Sequence, residues 1–584
     1  MHSKSTTRTS HGMKTSSEAS MAAARSATQK ETQTRQAEEE RKVAKSDRTR
    51  KHHRIRFPFP RPRNLQRDDI VMVEEDSVKQ AVLGTSVGNF MEWFDFGIYG
   101  YLTVVMTTVF TKGIPNSLGV LIMLLGFAVS FLARPLGGFI LGPLGDRIGR
   151  QKVLFITMSV MAVSTSLIGA LPSAAQIGLW APVPLYVLKM IQGFSTGGEY
   201  AGAATYVSEF SPDRRRGFFS SWLDVGSYLG FAVGAGAVAV TTAISEHYWG
   251  IDAMVNWAWR IPYFLAIPLG VIAVYFRSRI PETPHFELED PDVDMSKPRI
   301  SKRGRWRFSI VGPKQRDERI FATHSLRGVF KHFHKEILLG IALVAAGNTL
   351  GYILTSYMPT YLSHELGEST TNSAMATIPV LVLITILMPF AGRLSDRYGR
   401  KPVFVTSAVI AVAAVIPAFM LINSGNSLAM HLSLIMLALP VAGYISVIAS
   451  ALPALFPTAS RFGGMAITYN VGVSLFGGTT PFFVQGLIEL TGNAYMPAFY
   501  VMLFSVIGGI AILFLPETAG KNLMGSMPAV SSAQEASEIL ATQQIDPKID
   551  LDTMPVDAVT EAWKVSGTGE QKTSHNANDQ QLAR

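Results

Sequence analysis

Cysteine is absent from the 584-residue chain, which excludes disulfides and thiolate metal ligation. Charge is scarce too. Asp, Glu, Lys and Arg make up 16% of the residues against 48% hydrophobic ones, a balance too apolar for an ordinary soluble chain of this length. No G-x-x-x-x-G-K-[ST] phosphate loop occurs, and "GTGEQK" near the C-terminus does not match one, so ATP-driven work within this chain is not expected. No cleavable signal peptide is expected either, because the first apolar run follows about 80 largely polar residues.

The charge that is present is unevenly placed. Residues 1–70 hold 17 Lys or Arg and 8 Asp or Glu, a difference of +9 that equals the net charge of the whole chain. Between Arg41 and Arg67 there are 11 basic residues and one acid. Such a stretch reads as a solvated, disordered tail with an attraction for anionic lipid. Nucleic-acid binding is not expected of a membrane-tethered tail that lacks a fold.

Beyond about residue 80 the chain breaks into apolar runs at approximately 81–110, 117–142, 153–171, 184–209, 217–244, 260–279, 337–362, 373–394, 402–423, 429–455, 463–489 and 495–515. Runs of about 20 residues cross about 30 Å of hydrocarbon as helices. An all-α membrane protein of twelve transmembrane helices is expected. Lys and Arg collect in loops after even-numbered runs: Arg147, Arg150 and Lys152, then Arg214, Arg215 and Arg216, then Arg393, Arg397, Arg400 and Lys401. Basic loops stay on the cytoplasmic side, which puts both termini there.

The two halves repeat each other. "GPLGDRIGRQK" at 142–152 recurs as "GRLSDRYGRKP" at 392–402, "SPDRRRG" at 211–217 has an echo in "FPTASRFG" at 456–463, and "PET" stands at 281–283 and 516–518. The expected organisation is a basic tail (1–76), a six-helix bundle (77–280), a basic linker (281–336), a second six-helix bundle (337–516) and a C-terminal tail (517–584). Inverted or parallel repeats of this kind build secondary transporters whose site lies between the repeats. The repeated turns are expected to latch the two halves: Gly142 makes the turn, Asp146 and Asp396 cap helix N-termini, and Arg147, Arg150, Arg397 and Arg400 pair across the halves.

The doubled G-x-x-x-D-R-x-G-R turn resembles the signature of the major facilitator superfamily. "GNFMEWFDFGIYGY", "FLARPLGG", "QGFSTGGEYAGAATYVSEFSPDRRRG" and "WAWRIPYF" resemble its metabolite:proton symporters, and "SSWLDVGS" with "PTYLSH" most resemble the proline/glycine betaine transporters among them. The resemblance implies proton-coupled import of a small zwitterionic osmolyte across the plasma membrane by a protein that is not an enzyme. A carboxylate symporter (citrate, 2-oxoglutarate or shikimate) is the alternative. Residues 540–584 hold two prolines and no sustained heptad repeat, so the regulatory coiled coil of some osmosensing members is not expected here.

Ionisable groups inside apolar runs mark function, because each costs several kcal/mol at bilayer depth unless it meets water or a partner. Glu92 and Asp95 share a helical stripe with Gly88 and Tyr99. Arg134, Glu199 and Asp224 fall at similar depths in the second, fourth and fifth runs. Arg134 and Glu199 are expected to pair, which leaves Asp95, with Glu92 as relay, as the expected proton carrier. Glu199 and Asp224 are the further candidates. Arg134 is also the candidate for a substrate carboxylate. Trp93, Tyr99, Trp222 and Tyr352, alongside Phe94 and Tyr228, offer aromatic faces for a quaternary ammonium, and Asn348 and Asn470, with Ser474, offer uncharged polar contacts from the second half. Gly226, Gly230 and Gly234 form a small-xxx-small ladder for close helix packing. No metal and no cofactor beyond the coupling proton is expected. The expected partners are a small-molecule substrate and the lipid bilayer, with the chain a monomer.

Overall fold

A computed structural model describes residues 65–148, 150–277, 326–543, 545, 546, 548 and 549. All of them belong to one contact unit that begins at Pro60. The basic tail to residue 64 and the linker from 278 to 325 lie outside the described residues. So do the side chains of Asp146, Arg147 and Arg150, three of the expected latch residues, and the surroundings of Gly142 beside them.

Helix covers each of the twelve apolar runs. The first half comprises α1 (Glu75–Phe110), α2 (Asn116–Ile148), α3 (Arg150–Gly169), α4 (Pro182–Thr196) with α5 (Glu199–Phe210), α6 (Arg216–Trp249), and α7 (Arg260–Phe264) with α8 (Ala266–Arg277). The second comprises α9 (Leu326–Tyr352) with α10 (Met358–His364), α11 (Thr370–Tyr398), α12 (Arg400–Ile422), α13 (Ser427–Ala451), α14 (Thr458–Val473) with α15 (Thr480–Thr491), and α16 (Met496–Phe514). Among the described residues nine helical stretches are long and apolar enough to cross a membrane. Helix α1 is not one of them: it carries Glu92 and Asp95, both buried in protein. The fourth run is divided at Gly197 and Gly198, and the third bends by 69° into the short helix that follows it.

Two glycine ladders bring backbones together. A Cβ on Gly226, Gly230 or Gly234 of α6 would strike the Ser86, Phe90 or Phe94 carbonyl of α1, which bears out the close packing expected of that ladder. Gly193 and Gly197 meet the Ser130 and Arg134 carbonyls of α2 in the same way.

Among the described residues one π turn, Met254–Ala258, precedes the sixth run, and two others, Ile353–Tyr357 and Ser474–Gly478, interrupt the seventh and eleventh. Single π turns of this kind frequently sit at functional positions. The latter two face the other half: Gly100 of α1 abuts Ser356, and Ser474 donates to the Phe131 carbonyl of α2 at 2.6 Å.

The ends add two features to the all-helical bundle. β1 (Val71–Met72) pairs in parallel with β2 (Ala529–Val530). The C-terminal segment from 517 is packed over its first part. It adds a helix α17 (Ala533–Thr542) beside β2, and Arg214 pairs with Glu535 and Glu538 on that helix.

Candidate functional site

Two buried ion pairs join transmembrane helices within the first half. The Arg134 guanidinium of α2 donates to Glu92 of α1, both fully buried, rather than making the expected bond to Glu199. Phe131 stands 5.1 Å from the guanidinium, ring centroid to central carbon. One turn along α1, Asp95 accepts from Lys189 Nζ of α4 at 2.9 Å and from Gln192 Nε2 at 3.1 Å. Asp95, expected to stand without a basic partner, therefore has one. Lys189 and Gln192 were missed by sequence reasoning although a lysine in the middle of an apolar run was visible. The rule that singled out the acids applies to it equally. Tyr99 completes this cluster: its ring lies 4.4 Å from Lys189 Nζ and its hydroxyl donates to the Met123 carbonyl at 2.6 Å.

Between the halves lies a cavity of about 20 Å³, room for roughly one water. The first half lines it with Trp93, Tyr200, Asp224, Tyr228 and Phe231, the second with Asn348, Tyr352, Ile445, Ile448 and Tyr469. Of the expected substrate residues, Trp93, Asn348 and Tyr352 are there. Arg134 and Tyr99 are not among its lining residues. Asn470 instead donates to the Gly197 carbonyl across the halves at 2.5 Å. Trp222 is 40% exposed and lines an outer groove with Phe218, Phe390 and Arg393, which removes it from the site.

The cavity has aromatic walls and one acid. Tyr200 and Tyr469, from opposite halves, stack at 3.8 Å with 9° between their planes. Trp93 packs 5.1 Å from Phe231 and 5.7 Å from Tyr352. The Tyr200 hydroxyl sits 3.1 Å from each Asp224 oxygen. Among the described residues no Lys or Arg pairs with Asp224. Trp93 Nε1 and Tyr352 Oη are buried without a hydrogen-bond partner, and each such group costs about 1–3 kcal/mol. A wall carrying unpaired donors beside an acid without a cation has the chemistry to receive a small molecule bearing both charges. Tyr200, Phe231 and Tyr469 carried no signal in the sequence beyond being aromatic.

Of the latch residues that are described, Asp396 caps a helix N-terminus as expected, whereas Arg397 and Arg400 form no ion pair across the halves among the described residues. Asp396 crosses between the halves, accepting from the Gly217 and Phe218 amides of α6 at 2.7 and 2.8 Å, so it caps the other half's helix. Arg400 stays local, 2.8 Å from Asp396 Oδ1, and Arg397 lies over Tyr398 of its own helix. An ion pair does cross between the halves at Arg461, 2.5 Å from Glu209. Glu517 caps α12 through the Arg400 and Lys401 amides at 2.9 and 3.1 Å. Burial alone would raise its carboxyl, but these and the Thr518 and Ala519 amides hold it below the ordinary value. At the opposite end Tyr101 donates to Thr377 across the halves at 2.6 Å.

The profile of the sugar (and other) transporter family matches residues 81–528. The chain belongs to this family of the major facilitator superfamily. It is accordingly a multi-pass plasma-membrane transporter and not an enzyme. It is 54% identical over 84% of its length to the ectoine/proline transporter ProP of Corynebacterium glutamicum, covering 94% of that protein. It is 43% identical over 81% of its length to the glycine betaine/proline/ectoine/pipecolic acid transporter OusA of Dickeya dadantii, covering 90%. With the proline/betaine transporter of Escherichia coli K12 it shares 40% identity over 82% of its length and 92% of the relative. Among solved structures, the transporter is similar to the xylose transporter XylE from E. coli in a partially occluded inward-open conformation. The TM-score is 0.58 at 16% identity, over 77% of this chain and all of that one, a likeness of fold.

Proposed function

We propose that this transporter imports a small zwitterionic osmolyte of the betaine, proline or ectoine class by proton-coupled symport and alternating access. In this reading twelve spans cross the membrane, both termini are cytoplasmic and the chain works as a monomer without a cofactor. The observation that carries the proposal is the aromatic cavity with Asp224 in its wall. A quaternary or secondary ammonium is attracted to aromatic faces and finds its counter-charge in Asp224. The substrate carboxylate finds the unpaired Trp93 and Tyr352 donors. Three curated relatives of this chain carry names with proline, betaine or ectoine in them, which supports the same class.

The cavity is far smaller than such a substrate, so binding requires the halves to part, separating the Tyr200–Tyr469 stack. Asp224 then has two uses at one place: it takes a proton or faces the substrate's cation. Because Glu92 and Asp95 each hold a basic partner, the coupling role passes from Asp95 to Asp224. A lipid-attracting role for the basic tail stays part of the proposal.

The test is uptake of labelled betaine and proline into vesicles under an imposed pH gradient. Accumulation that follows the gradient, with competition by trimethylammonium zwitterions, is expected. Strong competition by citrate or 2-oxoglutarate with none by betaine would replace it with the carboxylate reading.

A further inference from the structure

At the end of the bundle opposite Asp396, three ligand-type side chains converge away from the central cavity. His364 ends α10, Glu365 follows it, and Glu489 lies on α15. One ligand atom from each lies within 4.8 Å of the other two. His364 Nε2 stands 3.7 Å from Glu365 Oε1 and 3.7 Å from Glu489 Oε1. Ligands at about 2.1 Å around a tetrahedral ion are roughly 3.4 Å apart, so each histidine–carboxylate distance needs to close by only a few tenths of an ångström.

The carboxylates are held by more than chance proximity. Gln485, fully buried, donates its amide to Glu365 at 2.8 Å and to Glu489 at 3.1 Å. Its carbonyl in turn accepts from the buried Tyr357 hydroxyl at 2.8 Å, which fixes which end of the amide faces the acids. Two carboxylates thus share one neutral amide, and among the described residues no Lys or Arg pairs with either. Like charges brought together in this way are stabilised by a cation. Outer partners that aim the ligands are the hallmark of built metal sites. On the far side of the imidazole, Nδ1 faces the Asn116 amide of α2 at 3.3 Å.

We propose that His364, Glu365 and Glu489 bind one divalent transition-metal ion of the Zn2+ class. One imidazole with two carboxylates suits such an ion better than Mg2+ or Ca2+, which take oxygen ligands. On binding, Nε2 gives its lone pair to the ion. The ring proton then resides on Nδ1 and is accepted by the Asn116 carbonyl after rotation of that amide, so the imidazole stays neutral. The ligands lie beyond the π turns Ile353–Tyr357 and Ser474–Gly478. A bound ion therefore staples the outer segments of two interrupted helices, and through Asn116 it touches the other half. This departs from the sequence expectation of no metal, and it does not depend on the substrate.

The experiment is Zn2+ titration of the purified, tag-free full chain in detergent by calorimetry, with Mg2+ and Ca2+ as competitors. The expected result is saturable binding of one Zn2+ that excess Mg2+ or Ca2+ does not displace. His364→Ala and Glu489→Gln should each weaken it at least about tenfold, and Gln485→Ala by about 10- to 100-fold, the range for loss of an orienting partner. Thermal midpoints of the metal-free variants identify any that fail to fold. Absence of saturable binding to the folded wild type, or full affinity in both His364→Ala and Glu489→Gln, overturns the site.

Discussion

In the middle of the bundle the first half carries buried charge, whereas the second half meets it there with uncharged groups. Glu92, Asp95, Arg134, Lys189 and Asp224 are all buried in the first. The second contributes Asn348, Tyr352 and Tyr469 to the same cavity, and its buried arginines, Arg400 and Arg461, sit at the latch end. Duplication preserved the scaffold and the latch turn. The chemistry of the two differs: one half places ionisable side chains in the middle of the bundle, and the other sets an uncharged wall across the cavity from them. The lopsidedness fits a carrier in which one half senses charge and the other reports closure.

The comparison is broken most severely by unpairing a charge. Lys189→Met leaves Asp95 buried without its cation, a loss of about 3–5 kcal/mol, and should sharply reduce folded protein and thermal stability in detergent. Lys189→Met with Asp95→Asn should recover most of that loss. If the single and double variants are equally stable, the pair carries no structural weight.

Next come the aromatic walls. Tyr200→Ala and Trp93→Ala should each weaken betaine binding by about 0.5–2 kcal/mol, roughly 2- to 30-fold in competition assays. Trp222→Ala, outside the cavity, should leave affinity within about twofold. Equal losses at all three would show that the cavity does not select the cation.

The latch is expected to matter less for affinity than for the balance between conformations. Asp396→Asn removes the charge that caps α6, worth about 0.5–2 kcal/mol, and should populate the form open at that end. Because the chain has no cysteine, a single Ser221→Cys, placed against Gly392 across the seam, can report it through its rate of thiol labelling. That rate should rise several-fold in the Asp396→Asn background.

Smallest is Glu517→Gln. Its folded carboxyl lies below the reference value of 4.5, so its stabilising contribution is present at neutral pH and lost as pH falls through the lower folded value. Melting temperatures of wild type and variant should differ slightly at neutral pH and converge in acid.

Much of this architecture was legible in the chain because hydrophobic run length and motif repetition are local signals. The close packing of the Gly226, Gly230 and Gly234 ladder was legible in its spacing, and the structure brings the candidates Trp93, Asp224, Asn348 and Tyr352 to one cavity. What residue spacing supplies is depth and rough azimuth on a single helix, not which neighbour that azimuth meets. Hence Arg134 was matched with Glu199 at equal depth, while it meets Glu92. Lys189 escaped notice because one polar residue barely lowers the hydropathy of its run. The Tyr200–Tyr469 stack joins residues 269 positions apart, and the strand pair at Val71 and Ala529 is only two residues long per strand, too short for an alternation pattern.

The most direct measurement concerns Asp224, the acid of the cavity. Asp224→Asn keeps a polar group beside Tyr200 but can neither exchange a proton nor hold a negative charge. Counterflow of labelled betaine and uphill uptake under a pH gradient should be measured on the same vesicles, with Asp95→Asn alongside. The expected result is that Asp224→Asn abolishes accumulation while any residual exchange no longer responds to the gradient. Wild-type accumulation in Asp224→Asn, at equal protein in the membrane, would contradict the placement of coupling in this cavity.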